Sequence, residues 1–184
     1  MKKWLIVYSS STGNTKVIAE AIKEALPVDT DIFNVREVPE DLSAYEVIAV
    51  GYWLSRGGPD KLTQDFLPHI KEKAVVLFET HGTMPGSEHA VTAFARAAYF
   101  LGGDCTILGT FGCQGRINPM LLEKRRQGQE NDPHANTKEN AERWAMAATH
   151  PDCADLDAAM DFARLMQRKI VMLESFAKRQ IEKA

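Results

Sequence analysis

The stretch that decides the fold runs from Trp4 to Leu26: WLIVY (Trp4–Tyr8), SSSTGNT (Ser9–Thr15) and, after Lys16, VIAEAIKEAL (Val17–Leu26). A continuous apolar run with β-branched members reads as a strand buried on both faces. Val17, Ile18, Ala21, Ile22 and Ala25 then mark one face of a helix, which Pro27 ends. The first unit is therefore strand, polar loop, helix.

The rhythm repeats. Asp31–Val35 reads as a second strand and Tyr45–Val50 as a third, leading into the loop GYWLSRGGPD (51–60), with Pro59 at the start of a helix running to about Ile70. Ala74–Phe78 is the fourth strand, followed by ETHGTMPGSEH (79–89) and a helix through about Leu101 that Gly102 and Gly103 stop. Thr106–Phe111 is the fifth. Strands apolar on both faces alternating with amphipathic helices predict an α/β fold, a doubly wound five-stranded parallel sheet covered on two sides. From about 113 to 155 the alternation breaks into a helical excursion: QGRINPMLLEKRRQGQENDPH, a surface loop with a short helix inside it, then TKENAERWAMAATHPD, a second short helix closed by Pro151. Asp155–Glu182 is one long C-terminal helix, with Ala159, Ala163, Met166, Ile170, Leu173, Ala177 and Ile181 on a stripe. Its expected role is to close one face of the sheet; the competing role is to bind a partner.

Length and composition bound the function. With 184 residues, 45% apolar and 26% charged, the chain reads as a single domain with its own core. No apolar stretch approaches the roughly 18 residues of a membrane span, so no membrane association and a cytoplasmic location are expected. The three cysteines, Cys105, Cys113 and Cys153, show no CxxC spacing and read as reduced thiols, with no metal site. A net charge of −3 gives no general attraction for nucleic acid. The basic run EKRRQ (123–127) reads as a solvated face or as a patch that steers an acidic protein partner.

The chemistry is carried by Ser9–Thr15. Between a strand and a helix, successive backbone N–H groups and the positive end of the helix dipole converge, which is a geometry for binding an anion. Gly13 allows close approach of the main chain, and Ser10, Thr12, Thr15 and Asn14 add side-chain donors. The loop lacks both the GxxxxGK[ST] of triphosphate sites and the GxGxxG of dinucleotide sites. A terminal phosphomonoester is the expected guest.

SSTGNT at Ser10–Thr15, directly after the first strand, resembles the FMN-phosphate loop of flavodoxins. The resemblance covers roughly residues 3 to 112 plus the final helix. It implies strand order 2-1-3-4-5 with FMN across the switch point between strands one and three. It also implies that Ser10, Thr12, Asn14 and Thr15 hold the phosphate with side chains, and Ser11 and Gly13 with backbone N–H groups. The flavin ring would then be flanked by two loops, GYWLSRGGPD with Tyr52, Trp53 and Leu54, and ETHGTMPG with Thr80, His81 and Gly82. Trp53 is the first candidate to stack on the ring and Tyr52 the second; such stacking disfavours the electron-rich reduced form. Gly57 and Gly58 either permit the peptide rotation by which flavodoxins favour one-electron-reduced flavin or make a plain tight turn. Arg56 departs from the usual acidic surroundings and would raise the potential if it reached the ring, but not if it points to solvent. His81 is read as a ring contact, a proton relay or a hydrogen-bonded surface group. Cys113 is assigned no nucleophilic role. The chain is longer than ordinary flavodoxins, mostly before the final helix, and lacks their usual aromatic after strand four. GYWLSRGGPD and GTFGCQGRI resemble the divergent, long-C-terminus flavodoxin-like proteins of anaerobic bacteria, including the accessory protein associated with bilirubin reductase.

Three functions follow as expectations. The first is a flavoprotein of electron transport, holding FMN and exchanging electrons with a redox partner protein. The second is an FMN-dependent quinone or NAD(P)H oxidoreductase. The third is an interaction protein on the same fold without flavin. No catalytic acid, base or nucleophile constellation stands out beyond the flavin site. Oligomeric state is left open.

Overall fold

In a computed structural model that describes residues 3–127 and 134–181, the run Trp4–Tyr8 is strand β1, with Trp4, Leu5, Ile6 and Val7 fully buried. In chain order there follow α1 (Asn14–Ala25), β2 (Thr30–Asn34), β3 (Val47–Ser55), a two-residue β4 (Gly58–Pro59) and α2 (Lys61–Phe66) with a 3-10 turn (Leu67–His69). Then come β5 (Ala74–His81), α3 (Glu88–Phe100), β6 (Thr106–Gln114), α4 (Pro119–Arg126), α5 (Lys138–Ala147) and α6 (Cys153–Ile181). The long strands run parallel in the order β2-β1-β3-β5-β6, with β4 antiparallel to the end of β3. With β4 set aside, this is the expected order 2-1-3-4-5. Among the described residues no helix is long and apolar enough to cross a membrane.

Alternation along each strand feeds two core layers. Trp4, Ile6, Val47, Ala49, Val76 and Phe78 pack against Ile18 and Ile22 of α1 and Ala159, Ala163, Met166 and Ile170 of α6. Leu5, Val7, Ile48, Val50, Val75 and Leu77 form the other layer with Leu67, Ile70 and Ala97. The Trp4 indole N–H donates to Gln167 Oε1 at 2.9 Å, so the buried indole is satisfied by α6. At the start of α6, Asp152 and Asp155 accept each other's backbone N–H at 3.0 and 2.9 Å, a reciprocal cap.

The structure corrects several boundaries. β3, β5 and β6 run on to Ser55, His81 and Gln114 instead of stopping at Val50, Phe78 and Phe111, and β2 sits one residue earlier than expected. Tyr52, Trp53, Leu54, Thr80 and His81 therefore lie on strands, not in loops. The physical reason for β3 is its turn: Arg56 and Gly57 both have positive φ, 52° and 80°, the sign pattern of a type I′ hairpin, which returns the chain to pair Leu54 with Pro59 and Ser55 with Gly58. Pro59 is thus an edge-strand residue. Asp60 caps α2 by accepting from the Thr63 N–H. In α1 the inward positions are Thr15, Ile18, Ala19, Ala21 and Ile22, while Val17 is 41% exposed. Both short helices of the excursion form, but the segment 128–133 lies outside the described residues.

The stripe on α6 is buried only as far as Ile170; Leu173 is 45% exposed and Ala177 is exposed. The side chain of Ile181, and residue Glu182, fall outside the described residues. A 29-residue helix is about 43 Å long, whereas a nine-residue strand spans about 30 Å, so α6 outruns the sheet it covers. Ile170→Ala should lower unfolding free energy by about 2–4 kcal/mol, while Leu173→Ala should change it by less than about 0.5 kcal/mol. Equal losses in urea denaturation would show that the sheet supports the helix along its whole length.

Candidate functional site

The loop after β1 opens at the carboxyl ends of the strands, where the topology switches between β1 and β3. Gly13 occupies the helix-cap position of α1 with φ 90° and ψ −17°, a left-handed conformation that favours glycine, and no side chain caps the helix. The first-turn amides of α1 are thus left without a side-chain cap, beneath a loop rich in hydroxyls.

Each hydroxyl has a distinct fate. Ser9 Oγ donates to Asp60 Oδ1 at 2.8 Å, and Asp60, 2% exposed, also accepts from Thr63 Oγ1 at 2.8 Å. Thr15 Oγ1 and Thr80 Oγ1 share a buried hydrogen bond of 2.9 Å. Asn14 Nδ2 donates to Thr12 Oγ1 at 2.9 Å and to the Arg116 carbonyl at 2.8 Å. Ser10 Oγ alone in this loop is a buried oxygen without a hydrogen-bond partner. Ser11 and Thr12 are exposed. Thr15 and Asn14, expected as phosphate donors, are thus engaged by the protein through their side chains, while Ser10 is uncommitted.

Trp53 is brought to this loop. It shares with Ser9, Ser10 and Ser11 a cavity of about 360 Å³, whose rim also carries Arg36, from the turn after β2, and Lys61. Trp53 pairs in register with Thr80, and Tyr52 with Glu79, so the two aromatics point to opposite faces of the sheet. Tyr52 is fully buried, edge-on to Phe94 at 6.2 Å, and belongs to the layer under α3. Leu54 sits in the β3–β4 hairpin. Gly57 is at its tip, where a Cβ would come within 2.5 Å of Arg96 Nη1. That guanidinium donates to the Arg56 carbonyl at 3.1 Å, and the Arg56 residue itself is exposed.

His81, at the end of β5 and outside that cavity's lining, is 5% exposed and its Nδ1 meets the Thr83 carbonyl at 3.2 Å. Burial lowers its pKa, which favours the neutral imidazole. Gly82 lies under Ile117, with no space for a Cβ. Cys113 is buried and burial pushes its thiol pKa up, away from nucleophilic thiolate. All three cysteines are free thiols.

Sequence reasoning missed Arg36, Asp60, Lys61 and Glu79, and gave Ser9 no role of its own within the loop. Asp60 was legible as a helix cap three residues before Thr63, but its bond to Ser9 spans 51 positions and left no local signal. Glu79 is fully buried with both carboxyl oxygens lacking a hydrogen bond of good geometry. Burial raises its pKa from 4.5 to about 8, with the neighbouring Tyr52 hydroxyl opposing the rise. The sign follows directly: across pH 4.5 to 8 the folded state keeps a proton that the unfolded state has lost, so stability falls as pH rises, by up to about 1.4 kcal/mol per pH unit. Glu79→Gln should therefore flatten the decline of melting temperature between pH 5 and 8. Parallel curves for the two proteins would refute the buried acid.

Comparison with known proteins agrees with this architecture. A family model described as a flavodoxin domain matches residues 5–164. The flavodoxin-like domain-containing protein BilS of Clostridioides difficile (strain CD3) is 30% identical over 171 residues, covering 91% of this chain and 97% of that protein. BilS of Clostridium symbiosum (strain WAL-14163) is 28% identical over 177 residues, covering 87% and 93%. Among solved structures, oxidised Flavodoxin 2 from Bacillus cereus superposes with a TM-score of 0.57 at 22% identity, over 91% of this chain and 99% of that one. A flavodoxin from the domain Archaea gives 0.54 at 18% identity, over 91% and 98%. With the sheet order, the loop after β1 and the family match in agreement, the chain belongs to the flavodoxin family.

Proposed function

We propose that the protein binds FMN non-covalently and exchanges electrons with a partner redox protein. The observation that carries the reading is the buried, unpartnered Ser10 hydroxyl beside the uncapped N-terminus of α1. A buried donor without a partner is costly, and a phosphate oxygen is the acceptor that would satisfy it. Arg36 on the same cavity rim adds a positive charge, while Lys61 there is paired with Asp65 at 2.6 Å and Asp60 is tied up by Ser9 and Thr63.

FMN, when bound, supplies the redox chemistry, and the chain supplies position and environment. Ser10 and the backbone amides from Ser11 to Asn14 would hold the phosphate. The Asn14 side chain, tied to the Arg116 carbonyl, keeps the loop against the segment after β6. Trp53 would cover one face of the ring, and Thr80, His81 and Gly82 would form the wall next to it. His81 keeps its proton arrangement through the Thr83 carbonyl. Lys124, Arg125 and Arg126 end α4, which buries none of its residues, and this basic turn suits an acidic face on the partner.

Flavin-free protein titrated with FMN should quench flavin fluorescence to a stoichiometry of about one per chain. Ser10→Ala should weaken FMN binding by about 10- to 100-fold, the worth of a hydrogen bond to a charged group. The same change should leave riboflavin affinity unaltered and the flavin-free protein at least as stable, because this buried hydroxyl bonds nothing among the described residues. Equal losses for FMN and riboflavin would remove Ser10 from the phosphate site, and no FMN uptake by the wild type would overturn the whole reading.

A further inference from the structure

Among the described residues, four buried polar atoms without a hydrogen bond of good geometry gather on three residues of one sheet face: Tyr52 Oη, both oxygens of Glu79, which the Tyr52 hydroxyl neighbours, and Gln114 Oε1. Tyr52 and Glu79 are direct neighbours in the β3–β5 register, and Gly112 is opposite Glu79 in the β5–β6 register. A Cβ at Gly112 would lie 3.3 Å from Glu79 Cγ and 3.4 Å from the Phe94 ring, so the carboxyl is closely enclosed. One rung toward the strand ends, His81 and Gln114 are paired, and both reach the Thr83 carbonyl, the Gln114 amide at 2.8 Å. Tyr52, the register partner of Glu79, is followed on β3 by Trp53, which lines the cavity with Ser9, Ser10 and Ser11, and Thr80, the residue after Glu79, pairs with Trp53 and bonds Thr15 of α1. Glu79 is therefore a buried acid with no cationic partner among the described residues, in a low-dielectric layer on the far side of the sheet from the cavity that Trp53 lines.

Resting on the FMN reading above, we propose that Glu79 is a redox-linked proton site: its carboxylate takes one proton from solvent as the cofactor site gains an electron from the partner, and gives it back on oxidation. Only an O–H bond forms and breaks, and the electron comes from the one-electron donor protein already invoked. The groups facing Glu79 leave its charge unbalanced. β3 presents the Tyr52 phenol, whose own pKa is raised by burial and by Glu79. β6 presents neutral Gln114 and, from the other face, the Cys113 thiol, itself raised in part by Glu79. On its own strand, His81 is driven toward neutrality by burial. α3 turns Ala90, Ala93, Phe94 and Ala97 inward, none of them charged. Negative charge gained in the cleft raises the affinity of such an acid for a proton, and reciprocally its ionisation lowers the affinity of the cleft for an electron. Since its pKa lies at about 8 before any electron arrives, the linkage acts in mildly alkaline solution.

The experiment is a spectroelectrochemical titration of FMN-loaded protein from pH 6 to 10, wild type against Glu79→Gln and Glu79→Asp. The wild-type midpoint should acquire an additional downward bend near pH 8 that Glu79→Gln lacks and Glu79→Asp retains at a shifted pH. In flavin-free wild type, the infrared carbonyl band of a protonated carboxyl should disappear between pH 7 and 9 and be missing from Glu79→Gln at every pH. Superimposable midpoint curves for wild type and Glu79→Gln, both loaded with FMN, overturn the linkage alone. Failure of the wild type to take up FMN overturns the functional reading and the linkage with it, even where the infrared band titrates as stated.

Discussion

Two hydroxyls, one at each end of the loop after β1, are committed to the protein and hold in place a span in which Asn14 is tied to Arg116 and Ser10 keeps an uncommitted hydroxyl. Ser9 is bonded to the buried cap of α2, Asp60, and Thr15 to Thr80 at the end of β5. These contacts fix the loop to both layers of the sandwich, one on the α2 side and one on the α1 side. The span between them, Ser10 to Asn14, contains the left-handed Gly13 and the unpartnered Ser10 hydroxyl. Removing either anchor would leave a buried polar group unpaired as well as loosening the loop, so binding geometry and fold stability share the same bonds.

Where β3 ends determines which aromatic can meet a ligand. If the chain left the sheet after Val50, Tyr52 and Trp53 would share one loop and either could turn toward the cleft. Because the strand continues to Ser55, successive side chains alternate, and register pairs Trp53 with Thr80 and Tyr52 with Glu79. One aromatic then faces the loop after β1, and the other fills the layer beneath α3.

The elements themselves were legible in the sequence because apolar runs and helical stripes are local signals, and the Ser/Thr-rich loop could be placed between a strand and a helix without knowledge of anything distant. The strand ends were not legible. The hairpin turn uses Arg56 with Gly57, where Asn or Asp before glycine would have announced it, and Pro59 reads equally well as a helix start. With β3 expected to end at Val50 and β5 at Phe78, Glu79 falls in the following loop and Tyr52 groups with Trp53, so neither is assigned to a sheet face. The stripe on α6 continues past Ile170 in sequence, but burial stops there because the sheet does, and sheet length is a property of other segments.

Glu79 is the residue whose presence the fold explains least well. Tyr52, Phe94, Leu77 and Val75 make its layer apolar, and an uncharged side chain of similar volume would fill the site at no desolvation cost. Nothing in the packing requires a carboxyl: neither oxygen supports a helix end, a turn or an ion pair of good geometry. Asp60 and Trp4 behave otherwise, Asp60 accepting from two side-chain hydroxyls and a backbone amide and Trp4 donating to Gln167. An acid held in apolar surroundings responds strongly to any charge nearby, because the low dielectric that raises its pKa also transmits the field of its neighbours. That sensitivity is carried through the sheet, where Tyr52, the register partner of Glu79, precedes Trp53 on the cavity wall, and Thr80, next along β5, bonds Thr15 of α1. Its position, rather than its contribution to the core, is what distinguishes Glu79 from the apolar residues around it.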